Sequence, residues 1–181
     1  MEYTSQHALG LVALAILGFG LVSVYAIEVF FRLNMNAQAF MNQIKKLVRA
    51  GRTEMAVKLC KVAPNALVAQ AVAAVLEAWL EGRRESESLW GAVRRIDLDG
   101  PLKKARFNGA LGVLMVGAAL AGAKVIGLGG GYLTVVGIAG GLGLLLAFGS
   151  HRTAKRIVRA VPECVHQSIE LLYEDSEAEK V

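Results

Sequence analysis

The chain has 181 residues, 55% of them hydrophobic and 19% charged, with a mean hydropathy of +0.47 and a formal net charge of +5. That length suits one compact unit, and that much apolar residue, gathered into long uncharged runs, excludes an ordinary soluble domain. The basic excess has no aromatic residues interleaved with it, so no nucleic-acid partner is expected.

Residues 1–7 contain no lysine or arginine. The first apolar run, residues 8–27, has 20 uncharged positions, which is the length of one bilayer crossing. We place a first transmembrane helix at 8–31. Val24, Tyr25 and Ala26 loosely fit a signal-cleavage pattern. No basic segment precedes the run, however, and it is longer than a usual signal core, so an uncleaved span is expected.

Residues 32–106 form a polar stretch that is helical by pattern. Phe40, Ile44, Leu47 and Val48 recur at helical spacing, and Gly51 interrupts them. Thr53 is placed to cap a short helix carrying Ala56, Leu59, Cys60 and Ala63, which Pro64 stops. Asn65 is placed to cap the next, whose apolar face is Val68, Ala71, Val72, Val75, Leu76 and Trp79, ending at Gly82. Leu89, Trp90, Val93 and Ile96 predict a further amphipathic helix. Asp99, Gly100 and Pro101 predict a break, with Pro101 starting the helix that becomes the second span.

Residues 107–123 and 125–150 are uncharged, and together with Lys124 they cover 44 positions. As one helix this would be roughly 66 Å long, about twice a bilayer core. Two spans, 107–126 and 132–150, joined by an external turn at 127–131, fit better. Gly127, Gly129, Gly130 and Gly131 supply the turn. Residues 151–181 begin basic, carry an apolar stripe of Ile157, Val161, Val165, Ile169 and Leu172, and end in an acidic tail. Pro162 predicts a kink or restart within that stripe. No segment alternates with period two, so the predicted fold class is an all-α membrane protein with three transmembrane helices, a helical region between the first two, and a C-terminal helix.

The basic residues flank the spans on one side only. Arg32, Lys45, Lys46, Arg49 and Arg52 follow the first; Arg94, Arg95, Lys103, Lys104 and Arg106 precede the second; Arg152, Lys155, Arg156 and Arg159 follow the third. The positive-inside rule then puts the N-terminus outside and both polar regions, including the C-terminus, in the cytoplasm. Cys60 and Cys164 would be reduced thiols used for packing, spaced for neither metal nor redox chemistry. The three histidines are scattered, and the glycine cluster lacks the lysine-serine ending of a phosphate loop. No enzyme activity, cofactor or metal is expected.

The second and third spans are rich in small residues: Gly109, Gly112, Gly117, Ala118 and Gly122, then Gly137, Gly140, Gly141 and Gly143. Gly137 and Gly141 make a small-xxx-small pair, which lets helices approach closely in lipid. Three spans have limited use for so many, and the surplus suggests contacts with other subunits. Two ionisable groups lie at span ends. Glu28 is either an interfacial carboxylate paired with Arg32 at i+4 or a lumen-facing group. Lys124 either snorkels to the external interface or meets a partner's acidic group.

The stretch "VYAIEVFFRLN" resembles the end of the first span in the ExbB/TolQ/MotA family of proton-channel subunits. "FMNQIKKLVRAGRTEMAVKLCKVAPNALVAQAVAAVLEA" is similar to the region that follows it there. The order of elements resembles that family to the C-terminus. The resemblance implies an inner-membrane homo-oligomer, a pentamer, surrounding single-span ExbD- or TolR-like partner helices. The partner supplies a proton-binding aspartate, and proton flow is coupled to envelope transport or motility. The candidate lumen- or partner-facing residues are Glu28, Lys124, Thr134 and Gly140. Two departures stand out. The second span lacks the family's proline and glycine-threonine-valine run, and the family's threonine position in the third span falls at Gly140. A non-conducting paralogous scaffold is therefore the alternative expectation, and a signalling anchor or accessory that binds partners through its polar helices is a third.

Overall fold

The structure is a computed structural model that describes residues 2–127 and 131–178. All of its elements are helical: α1 (Glu2–Ile27), a π-helical turn (Glu28–Leu33), α2 (Ala37–Arg49), α3 (Thr53–Val62), α4 (Leu67–Leu80), α5 (Ser86–Arg94), α6 (Asp99–Ile126) and α7 (Gly131–Ala178). No strand occurs among the described residues. Three helical stretches are long and apolar enough to cross a membrane. The chain divides into two compact units, one made of residues up to Phe30 with Pro101–Thr153, the other of Phe31–Gly100 with Ala154–Val181.

In the first unit α1 and α6 run antiparallel with their backbones almost touching. A Cβ added at Gly112 would lie 2.6 Å from the Gly18 carbonyl oxygen and 2.8 Å from Val22 Cγ2. One added at Gly18 would lie 2.8 Å from the Gly112 carbonyl oxygen. Further along, Gly109 faces the ring of Tyr25, and Gly122 faces Leu11. The buried face of α6 is Leu102, Ala105, Gly109, Gly112, Val116, Ala119 and Ala123, a strict alternation of three- and four-residue steps. That 3.5-residue period is the seam of a left-handed helix pair, and small side chains bring its axes close. The N-terminal part of α7 adds Val136, Gly140 and Gly143, with Gly140 against Leu120 and Gly143 near Val116 and Phe19. Outside these seams the unit exposes large apolar side chains, among them Leu17, Phe107, Leu114, Leu145 and Phe148. Water would make such a surface costly, and lipid tails would not.

The second unit has the other kind of interior. Ile44, Val48, Val72, Val75, Leu76 and Leu89 are fully buried and pack with Val165, Ile169 and Leu172 of α7. Glycine closes two of its helices. Gly51 (φ 65°) and Gly82 (φ 87°) adopt left-handed backbone. The following amides, Arg52 N and Arg83 N, donate back to Leu47 O at 2.9 Å and Ala78 O at 3.0 Å. This is the Schellman arrangement, which satisfies carbonyls the helix would otherwise leave open. Tyr173 stacks edge-on against Trp79 at 5.6 Å and donates its hydroxyl hydrogen bond to Arg84 O at 2.5 Å. The Arg84 guanidinium lies over the same indole, 3.9 Å from its centre.

Several local expectations change. Asn36, not singled out by pattern, caps α2 by accepting from Ala39 N at 3.1 Å. Thr53 and Asn65 do not cap: the positions are taken by Arg52 and Ala66, which use no side-chain bond. The expected break at Asp99, Gly100 and Pro101 falls instead at residues 95–98. Asp97 accepts from Gly100 N at 2.8 Å, and α6 has already begun at Asp99. Proline causes no difficulty in a first turn, because its amide there has no helical partner to lose. Pro162 does not interrupt α7, which continues from Gly131 to Ala178. Pro162 and Val158, whose carbonyl it leaves unbonded, are both exposed, so that carbonyl can be hydrated. The expected turn at 127–131 is described only at its ends. Gly127 (φ 64°) closes α6 and Gly131 opens α7, while residues 128–130 lie outside the described residues.

One regularity explains why α7 does not break where its composition changes. Val136, Gly140, Gly143, Ala147, Ser150, Ala154, Ile157, Val161, Cys164, Ser168 and Leu171 follow one 3.5-residue period, and each is buried or half-buried.

Candidate functional site: a groove between α6 and α7

The antiparallel pairing of α6 and α7 leaves a groove beside the seam, open along one side and about 880 Å³ in volume. Binding pockets for small molecules commonly occupy about 300–1,000 Å³. Its walls are Ala110, Val113 and Leu114 of α6 and Leu144, Ala147 and Phe148 of α7. Its floor is Gly109, where the missing side chain lets the Tyr25 ring of α1 show through. Its mouth is polar: Arg106, the residue before the apolar run of α6, and His151, the residue after the apolar run of α7. Arg152 stands beside them with its guanidinium 4.5 Å from the centre of the Phe148 ring. Among the described residues no carboxylate lines this groove.

The helical faces that form the groove continue past it. On α6 the face of Ala110 and Leu114 extends to Gly117 and Ala121; on α7 the face of Leu144 and Phe148 extends back to Gly141 and Gly137. Gly117, Gly137 and Gly141 have nothing within 4 Å of where a side chain would begin. Gly18, Gly109, Gly112, Gly122 and Gly140 are consumed by packing within the chain, and these three are not.

The four residues expected to face a lumen or partner do not gather in one place. Glu28 opens the π-helical turn and is half-buried. Lys124 is exposed in the last turn of α6, and Thr134 is exposed in the first turn of α7. Gly140 is buried, and a Cβ there would lie 2.8 Å from Leu120 Cδ1, so the position is filled by the chain's own α6. Helical spacing puts Lys124 and Thr134 on the groove faces, at the end opposite Arg106 and His151.

Two serine hydroxyls in the long apolar helices are turned back on their own helices. Ser23 donates to Phe19 O at 2.9 Å, and the fully buried Ser150 donates to Leu146 O at 2.7 Å. Such i−4 bonding satisfies a buried hydroxyl without a second helix. Tyr25, Arg106 and His151 were not predicted as a group. The available signal was that Arg106 and His151 each border an apolar run, but their meeting depends on the register of two antiparallel helices.

The second unit has its own groove of about 600 Å³, between α2 and α7. Two of its carboxylates already hold partners: Glu170 with His166 at 3.1 Å and Glu174 with Arg49 at 3.3 Å. Cys60 and Cys164 are buried free thiols. Burial pushes Cys60 from an ordinary 9.0 up to about 12, Glu77 adding to the rise, and burial raises Cys164 as well. Neither is a nucleophile in this state, since reactivity belongs to the thiolate. Among the described residues no three His, Cys, Asp or Glu side chains group as a metal site. Compared with protein-family models, curated proteins and solved structures, the chain matches none.

Proposed function

We propose that the protein is an ExbB/TolQ/MotA-like subunit of the bacterial inner membrane, with its N-terminus periplasmic and its C-terminus cytoplasmic. Copies of it, five by analogy with the family, would form a sleeve around single-span partner helices and couple proton flow to envelope transport or motility. The observation that carries the reading is the unspent glycine face. Gly117 of α6 and Gly137 and Gly141 of α7 continue the groove's helical faces, and a Cβ at any of them would meet nothing in the chain within 4 Å. Faces of this kind in lipid favour close approach of another helix. The order of elements and the two quoted stretches supply the family, and the one-sided basic residues supply the orientation. No bond is made or broken in this reading, and the protein is not an enzyme.

A second reading keeps the sleeve and removes the conduction. It is favoured by Ser23 and Ser150, whose hydroxyls are committed to Phe19 O and Leu146 O, and by glycine at position 140. A proton path at membrane depth needs polar groups or water. In the motor reading those come from the partner's aspartate and from water. Proton flux into liposomes separates the two. The full complex, purified with the partner that accompanies it under native expression, conducts if it is a motor. An intact complex without flux is a scaffold.

A further inference from the structure

We infer that the α6–α7 groove is a binding site for an anionic phospholipid, with an acyl chain along its walls and the phosphate at its mouth. This rests on reading α1, α6 and α7 as membrane spans and does not depend on the motor reading. The groove changes character along its length in the way such a lipid does. Its walls are aliphatic and aromatic, and its mouth, at the border of the apolar runs, holds Arg106 and His151. Arginine offers a planar fork of N–H donors suited to phosphate oxygens, and an imidazole N–H adds another donor. The Arg152 guanidinium lies over the ring of Phe148, a wall residue, and adds positive charge beside the groove. With no carboxylate in the lining, an anion entering there meets no repulsion from the walls.

A second copy of the chain fits this mouth less well. A neighbour at the same depth brings its own Arg106 and Arg152, and like charges would face one another. An anionic headgroup between them neutralises both sets. A zwitterionic lipid has the same tails but carries its own ammonium group against the arginines, so the site predicts selection by headgroup charge. Depth also agrees, since a lipid phosphate lies where the hydrocarbon ends.

The test is lipid retention by the full chain in an uncharged detergent, read by native mass spectrometry. Phosphatidylglycerol and phosphatidylcholine of identical tails are added back separately. Phosphatidylglycerol is expected to be retained over phosphatidylcholine. Arg106→Gln is expected to reduce that preference about fivefold, the usual worth of one basic residue near a membrane surface. Lys104→Gln removes the same charge two residues away, where the side chain does not line the groove, and should leave the preference unchanged. Arg106→Lys should retain most of it, and guards against misfolding of the glutamine variant. Ala110→Phe, which fills the groove from an exposed position, should lower retention of both lipids. Equal retention of the two lipids overturns the proposal. So does an equal loss in Lys104→Gln and Arg106→Gln, which would mean diffuse attraction to a basic surface. Disulfide cross-linking of two Phe148→Cys copies through the groove would also overturn it, by giving the site to a second chain.

Discussion

Helices in the first unit touch through glycine, and helices in the second touch through leucine, valine and tryptophan. Gly18 and Gly112 place two backbones against each other, whereas Leu76, Val72 and Leu89 fill their interior with side chains. With the three long apolar helices read as membrane spans, solvent supplies a physical reason. In water, burying large apolar groups is itself the driving force, at about 25 cal/mol per Å². In lipid that term is nearly absent, so association depends on close van der Waals approach, and small residues permit it. The same amino acid, glycine, therefore does different work in each unit. In the second unit Gly51 and Gly82 supply left-handed backbone at helix ends, and in the first Gly18 and Gly112 supply nearness.

The contrast breaks most visibly at Gly112. Gly112→Leu drives carbon into the α1 backbone at Gly18 O and Val22 N and into the branched Val22 side chain, with no long flexible neighbour to move. We expect a loss at or beyond the upper end of the ~1–3 kcal/mol that overpacking ordinarily costs. Thermal melting in detergent should show it as a collapse in folded yield. The second unit should fail in the opposite direction, by loss of volume. Leu76→Ala removes a fully buried side chain and should cost about 2–5 kcal/mol, read as a lower melting midpoint.

A smaller effect sharpens how dry the second interior is. With Cys60 pushed from 9.0 up to about 12, its neutral form is favoured in the fold. That contribution is fully present below about pH 9 and is lost as pH rises through 12. At pH 8 the folded chain therefore holds far less Cys60 thiolate than the unfolded chain. Maleimide labelling of Cys60 in a Cys164→Ala background should therefore be slow in buffer and fast in urea. Equal rates would mean that the interior around α3 and α4 is open.

Much of this arrangement is legible in the sequence, and the parts that are not share a cause. The three apolar stretches, the glycine ends at Gly51 and Gly82, and the apolar face of α4 follow from patterns within one segment. The continuity of α7 does not. Its composition changes sharply at His151, and a change of solvent looks, in sequence, like the end of a helix. The backbone is indifferent to that change, and the repeat from Val136 to Leu171 carries the helix through it. Pro162 misleads for the same reason, because one lost bond on an exposed face is cheap beside a continuous buried seam. The groove was hidden more deeply. Tyr25, Arg106 and His151 are far apart in the chain and meet only through the register that Gly109 and Gly140 permit. Gly140 was expected to face a lumen or a partner, and Leu120 of the chain's own α6 packs against it instead.

Central to the account is that the glycines unspent within the chain are spent between chains. Native mass spectrometry of the full chain from mild detergent, beside Gly141→Leu, tests this directly. A Cβ at Gly141 would meet nothing within 4 Å in the subunit, so the variant should melt like the parent. The account predicts an oligomer for the parent, five copies in the family's pattern, and smaller species for Gly141→Leu. A monomeric parent, or an oligomer that Gly141→Leu leaves intact, would contradict it.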